Sequence, residues 1–361
     1  MNNFFKIIFL FTLGLTVVSC SKSDNDSQPL RDHTEQYAKD LANIENFMHT
    51  HYMEVVNNPG GPDDQDVTFT LIPEGGTQIS IWDQTTYPRR ERWVKVRQND
   101  VDIVYKIYYL ELRQGTGANS KSPCNVDKVL TSYRGEYLYK GTEEVNGVLV
   151  VKSKEFEELV NPQSYFSLNG VIRGWSEVFP QFRTGTYSGN PDGTTSFFDF
   201  GAGIMFIPSG LGYYNGATSG IPAYSPLVFS FKLYEIQRVD NDGDGIYSYQ
   251  EDLATSTVSS DGSVTIIDGV PDGYVYTLPE GVENPDNTDG DTQIPQPDGS
   301  FKYEEVPDFL DTDDDGDHYT TASEIKNPLT GEPYPFADIP TCGGTGNGKK
   351  KHRDPSCHGQ P

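Results

Sequence analysis

The stretch Asn169–Gly185, NGVIRGWSEVFPQFRTG, decides how this chain is read. A β-branched pair, Val171 and Ile172, runs into Gly174 and Trp175, and an aromatic segment with Phe179 and Phe182 follows. Tryptophan brings one of the largest apolar surfaces to a fold, and a glycine beside it leaves room for another element to come close. Trp175 is then either a core anchor or the floor of a binding pocket. The segment predicts a short helix starting near Gly174. Pro180 would cost the interior of that helix about 3 kcal/mol, so it belongs in the first turn or at the end.

Outward from this stretch, strands dominate from Val126 to Arg238. The run VDIVYKIYYLEL, residues 101–112, is apolar on both faces and predicts an interior strand. Residues 66–112 alternate, as in Val67, Phe69 and Leu71 and then Trp93, Val94 and Val96. Residues 31–56 predict an amphipathic helix on Tyr37, Leu41, Ile44 and Met48, ended by NNPGGPDDQ. Its apolar face could dimerise or pack on the sheet. With 36 Gly and 24 Pro, the chain is loop-rich and mostly β rather than a helical bundle.

Three blocks, VDKVLTSYRGEYLYKG, YFSLNGVIRGWSEVFPQFRTG and GIMFIPSGLGYYNGATSGIPAYSPLVFSFKLYEI, stand in the order of an FKBP-type peptidyl-prolyl cis-trans isomerase domain. The preceding YKIYYLELRQGTG resembles the first strand of lipoprotein members from Gram-negative, Bacteroidetes-like bacteria. The resemblance covers roughly residues 101–238. It implies an α+β fold, an antiparallel sheet curled around one short helix, and isomerase activity on X–Pro bonds with no cofactor for catalysis. By position, Trp175 resembles the family's pocket floor, with Val171 and Ile172 just before it and the Ile172 N–H presented to substrate. Tyr133 resembles the wall tyrosine, and Tyr213 the tyrosine whose hydroxyl bonds a substrate carbonyl. Ile221 and Phe229 match the apolar wall, and Phe166 a peripheral aromatic. Where the family has Phe-Asp after its first loop, the sequence GVLVVKS places Val150 and Val151, which puts efficient catalysis in doubt. An insertion, TYSGNPDGTTSFFDFGA, separates the helix from the next strand.

The net charge of −26 is concentrated between Asp240 and Pro340, where 25 Asp and Glu face two lysines, Lys302 and Lys326. Such a segment excludes nucleic acid as a partner and calls for cations. In DNDGDGIYSYQE, Asp240, Asp242, Asp244 and Glu251 occupy positions 1, 3, 5 and 12 of a calcium loop, with Gly245 at the turn and a carbonyl from Ile246 or Tyr247 near position 7. DDDGDHYTTASE repeats the spacing with Asp313, Asp315, Asp317 and Glu324, but His318 replaces the turn glycine. Asn287, Asp289 and Asp291 make a degenerate third copy. These loops resemble thrombospondin type 3 repeats, which implies structural calcium in an irregular C-terminal extension.

At the N-terminus, Lys6, the apolar run Ile7–Val18 and Ser19-Cys20 read as a lipoprotein signal peptide over residues 1–20, lipidated at Cys20. A tether over 21–30 follows. Next come a helix- and strand-rich region over 31–100, the isomerase domain over 101–238, acidic repeats over 239–340 and a Gly/Lys-rich tail over 341–361. An exported chain meets an oxidising compartment. Cys342 and Cys357 could close a loop; with Cys124 the count leaves one thiol unpaired and does not say which. The expectation is an outer-membrane lipoprotein, on the periplasmic or the surface side, acting on proline-containing envelope polypeptides. The alternative is a catalytically weak binding module on a calcium-stabilised surface lipoprotein. Oligomeric state stays open.

Overall fold

The computed structural model describes residues 30–98, 101–145, 147–218, 220–252, 254–268, 291–295, 301–342 and 348–357. The signal peptide, Cys20 and nearly all of the tether lie outside the described residues, as do Asn287 and Asp289. From Asp32 onward the chain forms one compact unit.

Helix α1 (His33–Thr50) begins where Asp32 caps it, its carboxylate accepting from the Glu35 N–H at 2.9 Å, a contact worth about 1 kcal/mol. The helix is shorter than its sequence period suggests. Residues 51–55 leave it to form β1 (His51–Val55), paired antiparallel with β2 (Val67–Leu71). Tertiary pairing with the alternating VTFTL segment overrides helical propensity there.

The central sheet has seven strands: β3 (Arg89–Gln98), β4 (Val101–Arg113), β5 (Lys128–Val145), β6 (Val148–Leu159), the short β7 (Phe166–Ser167), β10 (Gly201–Ile207) and β11 (Leu227–Gln237). The order is β3-β4-β10-β11-β5-β6, with β7 on β5, and every pairing is antiparallel. β4 is thus interior, as its two-faced apolarity predicts.

Alternation along the strands supplies two cores. On one face Tyr105, Ile107, Met205, Ile207, Phe229 and Phe231 pack with Trp175, Val178, Phe179 and Phe182 from helix α2 (Arg173–Val178) and the 3-10 turn after it. On the other face Tyr108, Leu110, Leu138, Val151, Ile204, Phe206 and Val228 pack against Ile44, Phe47 and Met48 of α1. Each fully buried aliphatic or Phe side chain contributes about 1.5–3 kcal/mol. Helix α1 therefore covers the sheet rather than standing free. Asp40, fully buried, pins it by accepting from the N–H (2.8 Å) and hydroxyl (2.5 Å) of Ser209.

The insertion after α2 folds as a hairpin of β8 (Thr186–Gly189) and β9 (Thr195–Phe198), with Phe197 stacked on Tyr234. The acidic extension holds helix α3 (Ser248–Glu251), hairpins β12–β13 (Ala254–Val258, Val264–Asp268) and β14–β15 (Asp291–Pro295, Phe301–Glu305), and helix α4 (Thr321–Glu324). Asp291, from the degenerate third copy, opens β14. A junction fixes the extension to the sheet domain. The Arg238 guanidinium pairs with buried Asp127, donates to the Ser122 carbonyl at 3.2 Å and lies 4.4 Å over Tyr249. Beside it Phe309 and Tyr249 pack on Cys124 and Val126. Cys342 and Cys357 form a disulfide, which among the described residues leaves buried Cys124 as the free thiol.

Candidate functional site

The β-branched pair leads into α2 through Ile172, the helix N-cap, whose carbonyl accepts from the Trp175 N–H at 3.0 Å. A Cβ on Gly174 would lie 2.5 Å from Ile207 Cδ1, so glycine lets α2 settle directly on β10. Pro180 falls in the 3-10 turn Phe179–Gln181 that closes the helix. Buried Glu177 anchors α2 to β3 through Arg92 and within itself through Arg173, each at 2.8 Å.

This docking puts Trp175 at the base of an open cleft of ≈ 500 Å³ lined by Tyr133, Phe156, Glu157, Phe166, Gly170, Val171, Ile172, Trp175, Tyr213 and Phe229. The rings meet edge to face: Trp175 lies 4.9 Å from Tyr133, 5.2 Å from Phe229 and 5.8 Å from Phe166 between centroids. Phe156 closes on Phe229 at 5.7 Å. A Cβ on Gly135 would stand 2.5 Å from Phe156 and 2.9 Å from Phe229, so that glycine is what lets the two rings meet over the strand. The polar tips are few. Burial, then the adjoining Glu157 carboxylate, pushes the Tyr133 phenol well above its ordinary value. The same two causes raise Tyr213, which is 41% exposed at the mouth.

Of the residues expected here, Tyr133, Phe166, Val171, Ile172, Trp175, Tyr213 and Phe229 come together. Ile221 is buried in the adjoining core and does not line the cleft. Val150 and Val151 do not line it either, which corrects the expected alignment. Val151 packs in the layer under α1, and its N–H donates to Asn46 Oδ1 at 2.9 Å. The Phe–acidic pair of the cleft is instead Phe156-Glu157, further along β6. The β5–β6 hairpin is long, turning at Gly147, so counting forward from the turn stops short.

The acidic loops are copies of one another. In the first, the Gly245 N–H donates to Asp240 Oδ2 at 3.1 Å, Asp244 to Asp242 Oδ1 at 3.3 Å, and Ile246 to Asp244 Oδ1 at 2.7 Å. In the second, His318 donates to Asp313 Oδ2 at 3.0 Å, Asp317 to Asp315 Oδ1 at 3.3 Å, and Tyr319 to Asp317 Oδ1 at 2.8 Å. Gly245 turns with φ +105 and His318 with φ +76, so the histidine takes the strained left-handed geometry the glycine takes freely. Asp240, Asp242 and Asp244 converge, as do Asp313, Asp315 and Asp317.

Helices α3 and α4 carry Glu251 and Glu324 in beneath them. Both oxygens of each glutamate are buried without a hydrogen-bond donor. Burial first, then Asp314 and Asp244, pushes Glu251 up to about 12; burial, then Asp315 and Asp317, pushes Glu324 up to about 8. Uncompensated buried carboxylates are costly. These all-oxygen sets therefore fit a hard cation such as calcium, which takes about six to eight oxygens.

A family profile described as "BamM C-terminal" matches residues 241–349, which contain both acidic loops except for Asp240. No curated protein matches the chain. Among solved structures, the chain is similar to a peptidyl-prolyl cis-trans isomerase from Pseudomonas syringae pv. tomato str. DC3000. Identity is 25%, over 37% of this chain and 76% of that one, with a TM-score of 0.26. It is also similar to FkpA from Escherichia coli, at 25% identity over 36% of this chain and 48% of that one, with a TM-score of 0.25. The match thus spans about half of the second protein. At these TM-scores the likeness carries no weight by itself. The antiparallel sheet with its short helix is compatible with an FKBP-like fold on the chain's own topology.

Proposed function

We propose that the aromatic cleft is a prolyl cis–trans isomerase site of FKBP type, on a lipid-anchored envelope protein whose acidic extension is ordered by calcium. The observation that carries it is the convergence of Trp175, Tyr133, Phe229 and Phe156 on one open aromatic cleft with Glu157 at its edge. Rotation about an X–Pro amide passes a barrier of about 18–20 kcal/mol as resonance is lost. The twisted amide has a less polar carbonyl than the planar one, so a dry aromatic box favours it. No nucleophile or metal is required. In this reading Trp175 supports the pyrrolidine ring, the Ile172 N–H and the Tyr213 hydroxyl orient substrate carbonyls, and Glu157 fixes the Tyr133 hydroxyl. Glu157 supplies the acidic group that Val151 lacks, which favours an enzyme over a pure binding module.

Lipidation at Cys20 belongs to the same proposal and places the protein at the outer membrane, on either side. Cys20→Ala would release it from the membrane fraction.

A protease-coupled assay on a proline-containing peptide tests the activity. The expected result is a rate above background that Trp175→Ala abolishes. Peptide binding without acceleration would instead support the binding module, and neither binding nor acceleration would leave the cleft a core feature.

A further inference from the structure

Asp314 stands at position 2 of the second acidic loop, where the twelve-residue spacing assigns no ligand. It does not face its own loop's triad. Its carboxylate lies with Asp244 and Glu251 of the first loop, with ligand oxygens of all three within 4.8 Å of one another. All three residues are almost fully buried: Asp244 is 3% exposed, Glu251 2% and Asp314 1%. Neither oxygen of Asp314 and neither of Glu251 has a hydrogen-bond partner, nor does Asp244 Oδ2. The backbone of Asp314 is held in place, its N–H donating to Thr321 Oγ1 at 3.2 Å, and Thr321 is itself fully buried. Its basic neighbour His352 lies 3.9 Å away and is also buried. The fold has thus brought a third carboxylate to the first loop, where no cationic side chain hydrogen-bonds it and the more distant charge of Arg353 does not offset its burial and the like charges of Asp308 and Asp244.

We infer that Asp314 is a ligand of the cation bound by the first loop, so that the two loops form one cation-linked unit rather than two independent sites. The inference rests on the calcium reading of the loops and goes beyond it in assigning a ligand across them. A divalent cation at Asp244 and Glu251 would neutralise the converging carboxylates of all three residues. Ordering of the second loop, which carries Asp314, then strengthens the first.

Calcium titration of the mature full-length protein by calorimetry tests this. Asp314→Asn, made in the native background so that the second loop keeps its own ligands, is expected to weaken one of the two sites at least about fivefold. A smaller change overturns the inference while the calcium reading stands; a native protein that takes up no calcium overturns both. Native protein crystallised with terbium gives a reading that needs no variant. The anomalous peak at the first loop should lie within coordination distance, about 2.3–2.6 Å, of an Asp314 oxygen. A peak at Asp240 and Asp242 that leaves Asp314 outside that range, or a separate ion on Asp314 away from them, overturns the inference.

Discussion

The carboxylate of Glu157 lies against the phenol of Tyr133 on the rim of the aromatic cleft. β6 and β5 present them from neighbouring strands, where Gly135 pairs with Glu157. A hydrogen bond to a charged acceptor is worth about 1.5–3 kcal/mol, enough to hold the hydroxyl in one direction. Glu157→Gln is expected to lower kcat/KM on a prolyl peptide about tenfold, equivalent to about 1.4 kcal/mol, with the melting temperature little changed. Tyr133→Phe should cost a similar factor, and the double variant less than the product, because the two act as one unit.

Val151→Asp would put the acid expected from the resemblance in the wrong layer. It would put a carboxylate under α1, among Phe47, Leu138 and Phe206, where Val151 is 2% exposed. The expected outcome is a loss of about 3–5 kcal/mol in urea unfolding and no gain in isomerase rate.

His51 starts β1 with its ring stacked 4.1 Å from Phe47 and its Nδ1 3.2 Å from the Phe47 carbonyl. Burial, reinforced by the charge of Lys152, outweighs that carbonyl and brings its pKa down to about 4. A depressed folded value means stability is fully present above the ordinary histidine value of about 6.5 and is lost as pH falls through 4. The loss is on the order of 3 kcal/mol. Denaturant unfolding at pH 7 and pH 4.5 should show it in the native protein, and His51→Gln should flatten the difference.

Removing calcium should loosen residues 240–340 and leave the seven-stranded sheet folded. Limited proteolysis after chelation is expected to cut the acidic extension first, while the near-ultraviolet circular dichroism of the aromatic core persists. The pH dependence of the chelated protein follows from the raised carboxylates. Asp242 is pushed up to about 7 by burial and then Asp244, and Glu324 to about 8. A raised folded value gives stability that is present below the unfolded carboxylate range and lost as pH rises through 7 to 8. The chelated extension should therefore resist proteolysis better at pH 5 than at pH 8, and calcium should reverse that order.

Local signals carried much of this architecture. The two-faced apolar run at 101–112 reads as an interior strand because both faces of β4 are in fact covered, one by α2 and one by α1. Gly174-Trp175 reads as a close approach, and Ile207 is what approaches. The acidic spacing is written in consecutive residues, so the two converging Asp triads could be found by counting. Phe156-Glu157 escaped because the length of the β5–β6 hairpin is set by cross-strand pairing, which a count from the turn does not contain. Asp314 escaped for a different reason. Its partners Asp244 and Glu251 are far away in sequence, and only the docking of α3 beside the second loop brings them to it. Residues 51–55 read as helix from sequence because their partner strand lies beyond a Gly/Pro-rich turn.

The cover that α1 lays over the sheet has a consequence for anyone dividing the chain. A fragment starting at Val101 would contain every residue of the aromatic cleft but would lack both β3 and α1. It would present Leu110, Ile204, Phe206 and Val228 to water as a contiguous greasy surface and leave β4 as an open edge. Such a piece should stick to itself before it binds any peptide. A unit that keeps the sheet covered has to begin by Asp32, where α1 is capped, so the recognisable motif is shorter than the part expected to fold.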